Sequence, residues 1–144
     1  MIALPAAWLF GAAVIAVLNA PTVASDLGTS GTYYVVSHVH YGISLAITFA
    51  IIAFVYLLLD FVFKLRYRRA LGWGHFGLMA TGTLLISAPS LFLRSTGTPV
   101  RTLDPQREFA TLNMISSAGY GLTLLSVILF LALLVDAFVG RRNP

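Results

Sequence analysis

Two histidines, His38 and His40, stand two residues apart in the stretch Thr32-Tyr33-Tyr34-Val35-Val36-Ser37-His38-Val39-His40-Tyr41-Gly42-Ile43-Ser44. Imidazole nitrogen is a ligand for iron, copper and zinc. How many centres the pair can serve depends on the backbone beneath it. In a strand, alternate residues point the same way and could chelate one ion. In a helix, positions i and i+2 are rotated by about 200° and leave opposite sides of the rod. The residues after Tyr41 form a run too long and too apolar for a strand. The pair therefore reads as one helix serving two separate centres.

The rest of the chain must place that helix, and its composition says in what solvent. Of the 144 residues, 58% are hydrophobic and only 10% charged, with a mean hydropathy of +0.89. Soluble domains carry about 25% charged residues, so the chain reads as an integral membrane protein. It has no cysteine, which excludes disulfides and thiolate metal sites. The net charge of +4 does not point to nucleic acid, because the basic residues gather at the ends of apolar runs, as in membrane proteins.

A membrane-crossing helix needs about 20 apolar residues. Four segments qualify, at 2–24, 35–63, 73–93 and 109–139. The first ends in Thr22-Val23-Ala24, loosely like a signal-peptidase site. It has no Lys or Arg ahead of its apolar core, as a signal peptide should, and is expected to stay as a membrane helix. The second is uncharged until Asp60, and the fourth until Asp136. The third is kinked near its far end by Pro89. Gly74, Gly77, Gly82, Gly119 and Gly121 offer small-residue seams for close helix contact. Lys64, Arg66, Arg68, Arg69, Arg141 and Arg142 flank one side of these spans, against Arg94, Arg101 and Arg107 on the other. That bias puts both termini on the cytoplasmic or matrix side. The histidine pair then lies near the outer face, and His75 at the inner end of the third helix.

Thr32-Tyr33-Tyr34-Val35-Val36-Ser37-His38-Val39-His40-Tyr41 resembles the tenth transmembrane helix of subunit I of the haem–copper oxidases, the cytochrome c oxidase family. Further matches follow in order. His75-Phe76-Gly77-Leu78-Met79 is similar to the start of the family's eleventh helix, and Gly97-Thr98-Pro99-Val100-Arg101 to its Gly-Met-Pro-Arg-Arg loop. Leu112-Asn113-Met114-Ile115-Ser116-Ser117-Ala118-Gly119 resembles its Trp-Asn-Met-Ile-Ser-Ser-x-Gly, and Asp136-Ala137-Phe138 its Glu-Ala-Phe. A lone His-x-His at a helix end is more often an interfacial pair. The flanking residues and these later matches turn the reading to metal ligation.

The resemblance implies an all-α membrane fold, four transmembrane helices that complete a twelve-helix bundle with a partner chain. It implies two haems of the haem a type: His38 as axial ligand of the high-spin haem, and His40 of the low-spin haem. Arg101 stands where the family's second arginine pairs with a haem propionate, a role suited to a planar, bidentate guanidinium. Val100 replaces the first arginine. His75 is expected to be an interfacial histidine bonded to backbone or headgroup. Ser30 and Gly31 occupy the positions of the family's His-Asp pair, which helps hold magnesium or manganese. Neither is a ligand for a hard cation, so that site is not expected.

Three histidines cannot supply a bis-histidine haem, a second haem and a copper. The resemblance therefore implies a split subunit I, with copper held by a partner chain that carries the first eight helices. Other oxidase subunits, and cytochrome c or quinol as electron donor, complete the expected complex. The implied activity is that of a respiratory oxidoreductase, with electron transport to dioxygen coupled to proton translocation. The setting is a bacterial plasma membrane or a mitochondrial inner membrane. Two other functions fit the same helices: a haem-binding subunit of a nitric oxide reductase-like complex, and a haem-free assembly or structural subunit.

Overall fold

The computed structural model describes residues 2–27, 33–95 and 110–139. The described residues are helical almost throughout, with no strand among them. They form α1 (Ala3–Leu27), α2 (Tyr33–Leu57), a π-helical turn (Leu58–Val62), α3 (Arg69–Ser95) and α4 (Ala110–Val139). In lipid a backbone must satisfy its own hydrogen bonds, and helices do so within one segment. The polar side chains follow the same rule. Asn19 Nδ2 donates to the Ile15 carbonyl at 2.8 Å, and Thr48 Oγ1 to that of Ser44 at 2.7 Å. Ser117 Oγ donates to the Asn113 carbonyl at 2.9 Å.

The helices run past the ends of the apolar windows, taking in Ser25 and Asp26, Tyr33 and Tyr34, and Arg69 to Gly72. Hydrophobicity marks where the hydrocarbon ends, whereas helical hydrogen bonding continues into the interface. The far end of the second helix differs in kind. Regular α-turns stop at Leu57, and Leu58–Val62 form the π turn, with the Phe63 N–H on the Leu58 carbonyl at 2.9 Å. Lys64 then takes a left-handed conformation (φ 51°), and the Leu65 N–H turns back to the Leu59 carbonyl at 2.9 Å.

The helices pack as two pairs, α1 with α2 and α3 with α4. Each pair meets along a seam of residues spaced three, four or seven apart, the spacings of a heptad repeat. In the first pair the buried residues are Leu4, Pro5, Trp8, Ala12 and Ile15 on α1, facing Phe49, Ala53 and Tyr56 on α2. Trp8 is the centre, tilted against Phe49 (ring centroids 4.9 Å) and stacked on Tyr56 (6.2 Å).

The second seam runs through Gly72, His75, Met79, Gly82 and Pro89 on α3 and Gly119, Ser126 and Leu133 on α4. Two of its glycines face each other. A Cβ on Gly119 would lie 2.7 Å from the Gly82 carbonyl oxygen, and one on Gly82 would lie 2.8 Å from that of Gly119. Only hydrogen fits there. At the other end of this pair, the Asp136 carboxylate accepts the Arg68 backbone N–H at 3.2 Å and lies 3.6 Å from Arg68 Nε. Arg68 precedes the first turn of α3 and accepts the Leu71 N–H at 3.0 Å. A carboxylate at a helix N-terminus opposes the positive end of the helix dipole, so α4 caps α3 from across the pair.

Three of the helices contain spans long and apolar enough to cross a membrane, Ala3–Ala20, Ile43–Val62 and Ala110–Val139. α3 has the length, at 27 residues, but its first half is diluted by Arg69, Gly72, Gly74, His75, Gly77, Thr81, Gly82 and Thr83.

Candidate functional site

The stretch that carries the histidine pair is helical. Positions 38 and 40 both lie in the continuous helix α2, Tyr33–Leu57, so its backbone sets the two positions about 200° apart. Side chains two positions apart on a helix leave opposite sides of the rod and do not converge on one ion. The side chains of His38 and His40 lie outside the described residues, as do Arg101, Ser30 and Gly31 in full. Among the described residues no three of His, Cys, Asp or Glu gather as a metal site.

His75 departs from its expected interfacial place. It is 1% exposed, within the α3–α4 seam. Its ring stacks on Phe130 (centroids 4.8 Å, 26°), and its carbonyl accepts the Ser126 hydroxyl at 3.0 Å. Its spacing with Gly72, Met79 and Gly82 is the signal that places it in the seam, and that spacing outranks its position near a helix end. Thr83, beside Gly82, is also buried, and its hydroxyl meets no hydrogen-bonding group among the described residues.

One ionisable residue stands out that motif reading passed over. Asp60 is 7% exposed, within the π turn and inside the apolar span Ile43–Val62. The signal was present in the sequence as the only acidic residue between positions 27 and 103. What the sequence does not display is the turn that carries Leu59 and Asp60 inward while Phe61, Val62 and Phe63 face outward.

Long apolar helices, paired along heptad seams, with a His-x-His in the sequence of one of them, define a helical integral membrane protein. Comparison with known proteins gives the family. The model of the cytochrome c and quinol oxidase polypeptide I family matches residues 1–122, and the chain belongs to that family. The chain is 35% identical over 115 residues to cytochrome c oxidase subunit 1 of Eremothecium gossypii, covering 80% of this chain and 22% of that protein. It is 38% identical over 103 residues to cytochrome c oxidase subunit 1 of Cereibacter sphaeroides, covering 72% of this chain and 18% of that protein. The chain thus spans about a fifth of the length of these relatives. The family match takes in α1, α2, α3 and the first part of α4, and it includes both histidines.

Proposed function

We propose that this chain is the C-terminal portion of a split subunit I of a respiratory terminal oxidase. The observation that carries the reading is the unbroken helix Tyr33–Leu57 beneath His38-Val39-His40, inside the family-matched region. On one rigid rod, positions 38 and 40 are set about 200° apart. That arrangement fits axial ligation of two haems, His38 to the high-spin group and His40 to the low-spin group. When bound, the haems and copper supply the redox chemistry that reduces dioxygen to water.

The work of this chain is binding, orientation and exclusion of solvent. His38 and His40 fix the distance between the two groups, and the identity and environment of an axial ligand tune the potential of the iron it holds. By its place in the Gly97-Thr98-Pro99-Val100-Arg101 motif, Arg101 would supply the guanidinium that pairs with a haem propionate. α3 serves as the fourth crossing helix, with Gly72, His75, Gly82 and Thr83 among its diluting positions buried rather than exposed to lipid.

The chain's three histidines leave the second ligand of the low-spin haem and the copper ligands to come from elsewhere in the subunit. On this reading a separate membrane chain with the first eight helices supplies them and holds the copper. Other oxidase subunits, with cytochrome c or quinol as donor, join that core. The excess of basic residues around 64–69 and at 141–142 supports placing both termini on the cytoplasmic or matrix side.

The test is ligand-specific spectroscopy on the purified complex. His40→Ala should abolish the low-spin haem signal in the reduced-minus-oxidised spectrum, and His38→Ala the high-spin signal. Survival of both signals in both variants would remove the ligand assignment.

A further inference from the structure

The end of α2 away from the histidines carries an arrangement that haem ligation does not use. Asp60 is 20 residues beyond His40, or about 30 Å along a helix at 1.5 Å per residue. That is about the thickness of the hydrocarbon core. Asp60 therefore lies near the membrane face opposite the histidine pair. A carboxyl buried in an apolar span is costly to keep and is most often retained for a function. π turns frequently mark functional positions, and this one carries Asp60 as a buried residue.

The surroundings narrow that function. Tyr56, one turn deeper on the same face, is fully buried against Trp8. The packed helix α1 carries no ionisable side chain from Ala3 to Ser25. On its own element Asp60 has Tyr56 before it and Lys64 after it. No metal-binding group of three acids or histidines accompanies it among the described residues. One carboxyl with a phenol a turn further in, at the edge of an apolar span, suits the passage of protons rather than the binding of an ion.

We propose that Asp60 is a proton-carrying carboxyl at the mouth of a path leading inward from the membrane face opposite His38 and His40, with Tyr56 as its next neighbour. The proposal rests on the oxidase reading above, since reduction of dioxygen to water consumes protons as well as electrons. In the step itself the carboxylate takes a proton from water at the membrane face. One water O–H bond breaks, hydroxide returns to the bulk and a carboxylic O–H forms. That O–H bond then breaks as the proton passes to an inner water, the carboxylate is restored, and no electron moves.

The experiment compares Asp60→Asn, Asp60→Glu and Tyr56→Phe in the purified complex. The readouts are the reduced-minus-oxidised spectrum, stopped-flow electron entry, proton uptake by indicator dye, and redox-difference infrared spectra of the carboxylic C=O stretch. Asp60→Asn should keep the haem spectrum and rapid electron entry but slow proton uptake by about a hundredfold, within the range of a lost general acid–base group. It should also delete one carboxylic band. Asp60→Glu should restore uptake and shift that band, and Tyr56→Phe should slow uptake with the band retained. An acid that merely holds the π turn would alter assembly or stability and leave both uptake and band untouched, and that result overturns the proposal. Should Asp60→Asn not assemble, wild-type complex labelled with carboxyl-13C aspartate must still show a redox-linked carboxylic band. Its absence overturns the proposal equally. A wild-type complex without haem signals would instead sink the oxidase reading itself.

Discussion

Gly74, Gly77, Gly82, Gly119 and Gly121 look alike in the sequence, and the α3–α4 crossing divides them. An added Cβ at Gly119 would meet the Gly82 carbonyl oxygen at 2.7 Å and the Ile86 nitrogen at 2.9 Å. At Gly82 it would meet the Gly119 oxygen at 2.8 Å and the Thr123 nitrogen at 3.0 Å. Ordinary contact begins near 3.4 Å, so the helices must separate by several tenths of an ångström. Backbone atoms cannot rotate aside to absorb this. At Gly77 and Gly121 nothing lies within 4 Å, and at Gly74 the neighbour is only the mobile end of Leu129, at 3.2 Å. Overpacking of a tight contact costs about 1–3 kcal/mol. Alanine regains up to about 1 kcal/mol of helix propensity over glycine. Gly82→Ala and Gly119→Ala should therefore destabilise by up to about 2 kcal/mol, the overpacking cost less the propensity gain. Gly77→Ala and Gly121→Ala should be neutral or slightly stabilising. The assay is thermal unfolding of the detergent-purified protein, in the complex it is extracted with, followed by tryptophan fluorescence. Equal losses at Gly121 and Gly119 would refute the crossing geometry.

Three further outcomes follow from other parts of the chain. Asp136→Asn should weaken the capping of α3 by only about 0–1 kcal/mol, since Arg68 is 62% exposed and its ion pair is screened by solvent. The loss relative to wild type should shrink as salt rises, and a salt-independent loss would assign the effect to packing. Arg101→Ala should preserve haem content while shifting haem midpoint potentials or slowing electron transfer. Arg101→Lys should be intermediate, and wild-type potentials and kinetics in Arg101→Ala would make it a solvated loop residue. Expressed alone, the chain should insert in membranes without stoichiometric haem or copper, and co-expression with a chain of about eight helices should restore both haems. A lone chain isolated with full haem and copper would overturn the split-subunit reading.

Much of the fold was legible because lipid leaves the backbone few choices. The apolar runs located α1, α2 and α4, and the order of the short matches from Thr32 to Asp136 indicated the family. What the sequence concealed depends on rotation about the helix axis rather than on composition. His75 sits near a helix end and reads as interfacial, yet the spacing Gly72, His75, Met79, Gly82 turns it into the seam. Had the heptad pattern been followed through polar residues as well as apolar ones, it would have been found. The π turn at Leu58–Val62 has no such signal. It adds one residue to a helical turn, and a run such as Leu57-Leu58-Leu59-Asp60-Phe61-Val62-Phe63 reads equally well with or without it. Arg101 depends on a loop whose residues lie outside those described, so its place rests on sequence alone.

The seams also indicate how much of each helix remains for other neighbours. On α4 the buried residues are Gly119, Ser126, Leu133 and Ala137, a single narrow line facing α3. Leu124, Leu125, Val127, Ile128, Leu131 and Val135 are exposed on the remaining faces. α2 shows the same division, with Phe49, Ala53 and Tyr56 against α1 and Ile43, Ile47, Ile51 and Phe54 outside. In water these surfaces would drive aggregation; in a bilayer they are compatible with lipid or with further helices. On the proposed ligand reading, lipid alone does not satisfy the histidine pair. Two groups on opposite sides of one rod each need a wall on their far side, and an α1–α2 pair walls off only one flank of α2. If one helix serves two centres, as proposed, the same geometry obliges it to be surrounded by protein.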